Sequence, residues 1–120
     1  MKNKISNIVF SGCRNFNDYK FIKSTLDSII KNKNFKILVG DANGVDSLIV
    51  QYAKENNIPY QIFKANWDFY GKSAGPLRNR QMVELADGLI AFWDGKSRGT
   101  KNSIDEANKK GIKLKIINII

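Results

Sequence analysis

The chain has 120 residues, 42% of them hydrophobic, with 20 basic side chains against 11 acidic ones and a formal charge of +9. That length buries one core and not two, so a single domain over residues 1–120 is expected. Histidine is absent, which excludes imidazole acid–base chemistry and imidazole metal sites, and the lone Cys13 permits no internal disulfide. Nothing in the composition implies a metal or a resident cofactor.

Residues 1–4 followed by Phe10-Ser11-Gly12-Cys13 have the outline of a bacterial lipoprotein cleavage box. Ser6 and Asn7 break the apolar stretch, which falls short of the ~7 residues a signal core needs. No segment approaches transmembrane length. A cytoplasmic protein without a membrane partner is therefore expected.

Ile5 and Ile8 to Phe10 read as a first strand that empties into a turn at Ser11-Gly12. Tyr19, Ile22, Leu26, Ile29 and Ile30 recur at helical spacing, with Asn17 or Asp18 as the cap. Phe35 to Val39 is a second strand, and Val45, Leu48, Ile49 and Tyr52 mark one face of a second helix. Ile58 to Phe63 is a third strand. A long polar and aromatic loop from Lys64 to Pro76 then leads into a helix near Arg78 to Ala86. Leu89 to Trp93 is a fourth strand and Thr100 to Lys110 a weaker helix ended by Gly111. Ile112 to Ile120 supplies the fifth strand.

Strands alternating with helices predict right-handed crossovers and an α/β fold: a Rossmann-like, doubly wound, mostly parallel five-stranded sheet with helices on both faces. In such sheets a ligand lies beyond the carboxyl ends of the strands, where the strand order reverses. All four arginines, Arg14, Arg78, Arg80 and Arg98, follow apolar runs in Gly/Ser/Asn-rich segments, whereas the lysines scatter over helix faces and termini. Guanidinium groups grip phosphate or carboxylate through paired hydrogen bonds, so this placement predicts an anion site.

Four segments compose it. After the first strand, Ser11-Gly12-Cys13-Arg14 either turns its amides toward an anion beside Arg14 or is only a glycine turn with an exposed arginine. Cys13 as a nucleophile has no histidine to activate it. After the second strand, Gly40, Asp41, Asn43, Gly44 and Asp46 lead into a helix whose N-terminus offers free amides. Asp46 either complements the helix dipole or binds ligand hydroxyls.

The third segment carries Trp67, Tyr70, Lys72, Arg78, Asn79 and Arg80, a mix that suits a stacked base beside phosphates, although a plug for the core is the more common fate of a lone tryptophan such as Trp67. The fourth, Lys96-Ser97-Arg98-Gly99-Thr100, opens the last helix as a phosphate cradle.

Together these residues resemble the SLOG superfamily of Rossmann-like domains, in its small stand-alone bacterial and phage branch. The resemblance rests on Ser11-Gly12-x-Arg14 with Asp18, on Gly40-x-Ala42-x-Gly44-x-Asp46, and on Ala65-x-Trp67 with the string from Tyr70 to Met82. Ala86-Asp87 and Ser97-x-Gly99-Thr100 complete it.

It implies a nucleotide-derived ligand, such as an ADP-ribose-like or cyclic nucleotide signal, and a homo-oligomer. Related LOG-type phosphoribohydrolases carry an arginine that Arg78 matches, and a glutamate two residues after Gly-Thr where this chain has Asn102. Asp105 and Glu106 lie one turn further on as a shifted carboxylate. Asp41 and Asn43 stand where this branch commonly has glycine and arginine.

The leading expectation is a binding domain that sequesters its ligand, in a phage setting as a sponge for a defence signal, with no assigned catalytic residue. Two other classes stay open. One is hydrolysis of a nucleoside monophosphate's N-glycosidic bond, with Arg78 positioning the phosphate. The other is nucleic-acid binding through the excess charge.

Overall fold

A computed structural model describes residues 5–32 and 34–119. The lysines and asparagine of residues 2–4, and the end of the predicted last strand at Ile120, lie outside the described residues.

Five strands, β1 (Ser6–Gly12), β2 (Phe35–Gly40), β3 (Tyr60–Phe63), β4 (Gly88–Trp93) and β5 (Lys113–Asn118), form one sheet in the order β3-β2-β1-β4-β5. Every pairing is parallel, so the mostly parallel sheet expected from sequence is wholly parallel. From β1 the chain winds outward to β3, then returns to β4 on the other side of β1. Strand order therefore reverses between β1 and β4, where Gly12 lies opposite Phe92.

Two apolar layers follow from the period of two along each strand. Phe10, Ile37, Val39 and Phe92 face helices α1 (Tyr19–Ile29) and α2 (Val45–Glu55), meeting Ile22, Leu26, Ile49 and Tyr52. Val9, Leu38, Leu89 and Ala91 face the opposite way, toward Met82, Val83 and Ala86 of α4 (Ala74–Glu84) and Ile104 and Ala107 of α5 (Arg98–Lys110).

Local chemistry sets the ends. Asp18 caps α1 by accepting from the Phe21 amide at 3.1 Å, and Gly111 ends α5 in the left-handed region at φ 78°. Between α1 and α2, the fully buried Tyr52 ring finds its polar partner when its hydroxyl donates to Asp27 at 2.7 Å.

The predicted loop from Lys64 to Pro76 is more ordered than its composition suggests. It holds the one-turn helix α3 (Trp67–Tyr70), a 3-10 turn at Gly71–Ser73, and the start of α4. Asn66 caps α3 by accepting from the Phe69 amide at 3.2 Å. Pro76 falls in the first turn of α4, where a missing N–H costs no helical hydrogen bond.

Helix cover is uneven on the α1/α2 side. There a groove of about 450 Å³ runs from Ile29 at the end of α1 and the following Ile30 past Ile8 and Ile90 to Lys113 and Lys115. The last strand accordingly alternates Lys113, Leu114, Lys115 rather than running apolar as a doubly covered strand would.

Candidate functional site

A cavity of about 530 Å³ opens at the strand-order reversal, beyond the carboxyl ends of β1 and β4. From β1 it takes Ser11, Gly12, Cys13 and Arg14; from the β2 end, Gly40 and Asp46; from α4, Arg78 and Asn79. The segment from β4 into α5 adds Asp94, Lys96, Ser97, Arg98, Gly99 and Thr100.

The β1 end and the start of α2 are pressed together. A Cβ on Gly12 would lie 2.5 Å from Val45 Cβ, and one on Gly44, already at φ +73°, would lie 2.4 Å from the Arg14 carbonyl. Only glycine fits either place. The contact has a consequence for the α2 amides: the Val45 N–H donates to the Cys13 carbonyl at 3.1 Å. The predicted anion seat at this helix start is thus partly occupied by backbone. Gly44 and Asn43 stand outside the cavity lining, with the Asn43 side chain exposed.

The start of α5 is more open. Ser97 caps it, with its Oγ 3.5 Å from the Thr100 amide and 3.1 Å from Thr100 Oγ1. Asp94 Oδ1 accepts from the Lys96 and Ser97 amides at 2.9 and 2.8 Å, and these bonds hold its carboxyl below the usual carboxylate range. The next amides, of Arg98 and Gly99, find no acceptor among the described residues and remain available to an anion. Nothing lies within 4 Å of a Cβ placed on Gly99, and its φ is not positive, so neither packing nor backbone geometry demands glycine there.

Arg78 reaches the cavity with its guanidinium already engaged. Its Nε donates to Asn79 Oδ1 at 2.9 Å, and its Nη1 to Asp41 Oδ1 at 3.0 Å and the Phe63 carbonyl at 3.4 Å. Gly40 makes room for this: a Cβ there would lie 2.5 Å from Arg78 Nη1 and 2.8 Å from Asp46 Oδ2. Asp46 is 7% exposed and accepts from the Ala42 amide at 3.1 Å. Burial pushes its carboxyl up to about 6, against the pull of that amide and of Arg78. Asp41 lies just behind, beside a smaller pocket shared with Gly40 and Asp46.

Asn79 donates to Asn102 Oδ1 at 3.0 Å, so the position of the hydrolases' glutamate holds a neutral amide bound to α4. The shifted carboxylates do not reach the cavity: Asp105 pairs with Lys101 on the exposed side of α5, and Glu106 lies 3.7 Å from Arg80. Arg80 therefore faces α5 and is not brought to the other three arginines.

Trp67, Tyr70 and Lys72 also lie outside the lining. Trp67 packs one edge toward Gly75, where a Cβ would come within 3.1 Å, and is 45% exposed rather than a core plug. The Arg14 guanidinium sits 5.7 Å from its ring centroid, linking the cavity rim to α3.

Cys13 is buried, and burial followed by the Asp94 charge pushes its thiol up, away from the thiolate a nucleophile needs. Asp94, which none of the four predicted segments includes, is a lining residue. The signal was its position, directly after the fourth strand. Among the described residues no cluster of three or more acidic or thiol groups is placed to hold a metal.

Residues 6–70 match the family model described as the YspA, cpYpsA-related SLOG family. The chain belongs to this family. It is also similar to the Gene 61 protein of Mycobacterium phage D29, with 31% identity over 113 residues that cover 88% of this chain and 90% of that one. Among solved structures it resembles DNA processing protein A (DprA) from Streptococcus pneumoniae, with a TM-score of 0.78 at 18% identity. That likeness covers 97% of this chain and 51% of DprA, so the chain spans about half the length of that protein, and it is a likeness of fold. No helix among the described residues is long and apolar enough to cross a membrane.

Proposed function

We propose that this chain is a binding domain that captures a nucleotide-derived small molecule, ADP-ribose-like or cyclic, and sequesters it. The observation that carries the reading is the two-ended cavity at the strand-order reversal. One end offers Arg14, Lys96, Arg98 and the unused α5 amides, a setting for phosphate. The other offers the buried Asp46, whose Oδ1 has no hydrogen-bond partner among the described residues, a setting for sugar hydroxyls. Membership in a SLOG family and the phage relative are in keeping with sequestration of a signal in a phage setting. The exposed Phe69 and Tyr70 beside the site support a homo-oligomer, which sedimentation velocity tests.

Calorimetry against mononucleotides, cyclic nucleotides and ADP-ribose derivatives tests the binding. At least one is expected to bind, and Arg14→Ala or Arg98→Ala to weaken it by about tenfold or more, the worth of a charge-assisted hydrogen bond. No binding by any member of the panel rejects the reading.

Asp46 favours a second reading, hydrolysis of a nucleoside monophosphate. A carboxyl that burial pushes up to about 6 and that lines the cavity suits general acid catalysis. Release of free base from a monophosphate would establish it, and an intact ligand recovered after long incubation would remove it. The +9 charge supports a third, nucleic-acid binding, for which a steep loss of DNA affinity with salt is the test.

A further inference from the structure

The charges in and behind the cavity are unevenly placed, and the one carboxylate of the outer end, Asp94, is already bound by the Lys96 and Ser97 amides. At the outer end Arg14, Lys96 and Arg98 are exposed, and none of the three makes an ion pair with a described residue. At the inner end one buried guanidinium pairs with Asp41 and has a second carboxylate, Asp46, nearby. Arg78 Nη1 holds Asp41 at 3.0 Å, while Asp46 Oδ2 and Arg78 Nη1 crowd the same face of Gly40, each within 2.8 Å of where its Cβ would stand. Asn79 and the Phe63 carbonyl take up further donors of Arg78.

A phosphate approaching Arg78 would find Nε and Nη1 already taken, with Nη2 alone free of a partner among the described residues, and would stand against two like charges in a corner where Arg78 and Asp46 are buried. Like charges brought together at such a place oppose binding strongly. A neutral hydroxyl there meets an open acceptor instead, on Asp46.

We infer that Asp41 is the internal counter-anion of Arg78, and that it confines a ligand's phosphate to the Arg14–Lys96–Arg98 end while the inner end takes uncharged hydroxyl groups. Asp41 is then the residue that sets specificity against ligands charged at both ends. The hydroxyl-bearing part of this assignment rests on the nucleotide reading above; the exclusion of phosphate from Arg78 rests on the charge cluster alone.

The two parts are separable by experiment. Inorganic phosphate is titrated into the whole chain while the arginine side-chain Nε and Cζ signals are followed by NMR. In the wild-type chain the Arg14 and Arg98 signals should move and that of Arg78 should not; in Asp41→Asn, which keeps the shape of a partly exposed side chain, Arg78 should move as well. Movement of Arg78 in the wild-type chain overturns the inference without need of any variant. So does a silent Arg78 in both Asp41→Asn and Asp41→Ala.

AMP and adenosine 3′,5′-bisphosphate are then compared by calorimetry. The bisphosphate should bind the wild-type chain at least about tenfold more weakly than AMP, and Asp41→Asn should narrow that ratio. Equal affinity of the wild-type chain for both overturns the assignment of the inner end. If neither nucleotide binds while the phosphate signals behave as stated, the nucleotide reading falls and the counter-anion role of Asp41 stands.

Discussion

Two regions flank the cavity and are built on opposite terms. At the β1–α2 corner, Gly12 and Gly44 allow backbone to meet backbone and side chain at distances no other residue would tolerate, and the Cys13 carbonyl fixes the first amide of α2. Across the mouth, α3 is a single turn held by one cap, with Trp67, Phe69 and Tyr70 between 45% and 75% exposed. The corner spends its residues on shape; the aromatic arm leaves its surface free. Substitution should therefore be felt sharply in the first region and hardly at all in the second.

The largest effect is expected from Gly44→Ala. A side chain there combines a positive φ with a clash against the Arg14 carbonyl, a loss of about 3 kcal/mol or more in urea unfolding. A wild-type midpoint in this variant would show that the corner relaxes. Gly12→Ala should follow closely, because Val45 Cβ is tied to its own backbone and cannot swing aside.

Next comes Asp46, which lies against the corner. Its folded carboxyl titrates at about 6 against an ordinary 3.8, so between those values the native state binds more protons than the unfolded chain. Stability should fall as pH rises through that window, by about 3 kcal/mol in all, and level off above it. Asp46→Asn should flatten the slope; an unchanged pH profile in that variant would assign the titration elsewhere.

Gly99→Ala separates folding from binding. With open space around its Cβ and a place in the first turn of α5, alanine should raise stability by about 0.5 kcal/mol. If the bare backbone is there to let a phosphate approach, the same change should weaken phosphate binding. Smallest of all, at protein concentrations low enough to keep the chain monomeric, Phe69→Ala should alter the unfolding free energy by less than about 0.5 kcal/mol, as an exposed side chain on a short helix. A larger loss that depends on protein concentration would place the arm in an interface.

The sequence made the sheet legible because each strand is a short apolar run and each helix carries a spaced apolar face; Ile22 with Leu26, and Val45 with Ile49, point inward as their spacing required. It was less informative where cover is one-sided. The alternation Lys113, Leu114, Lys115 was there to be read but was absorbed into a generic last strand.

In the site, turn residues after β1 and β4 put Arg14 and Arg98 at strand ends, and both line the cavity. The pairing of Arg78 with Asp41 was not legible, since 37 positions separate them and only the fold brings them to 3.0 Å. Arg80 illustrates a finer limit. It stands two residues from Arg78, and on a helix that separation turns a side chain to another face, here toward Glu106.

The locked corner also bears on kinetics. Walls that are rigid before a guest arrives need no ordering at the moment of capture, so little conformational entropy is lost on entry. Uptake of a small anion then becomes a matter of encounter, hastened by the field of a strongly cationic protein and slowed as added electrolyte screens that field.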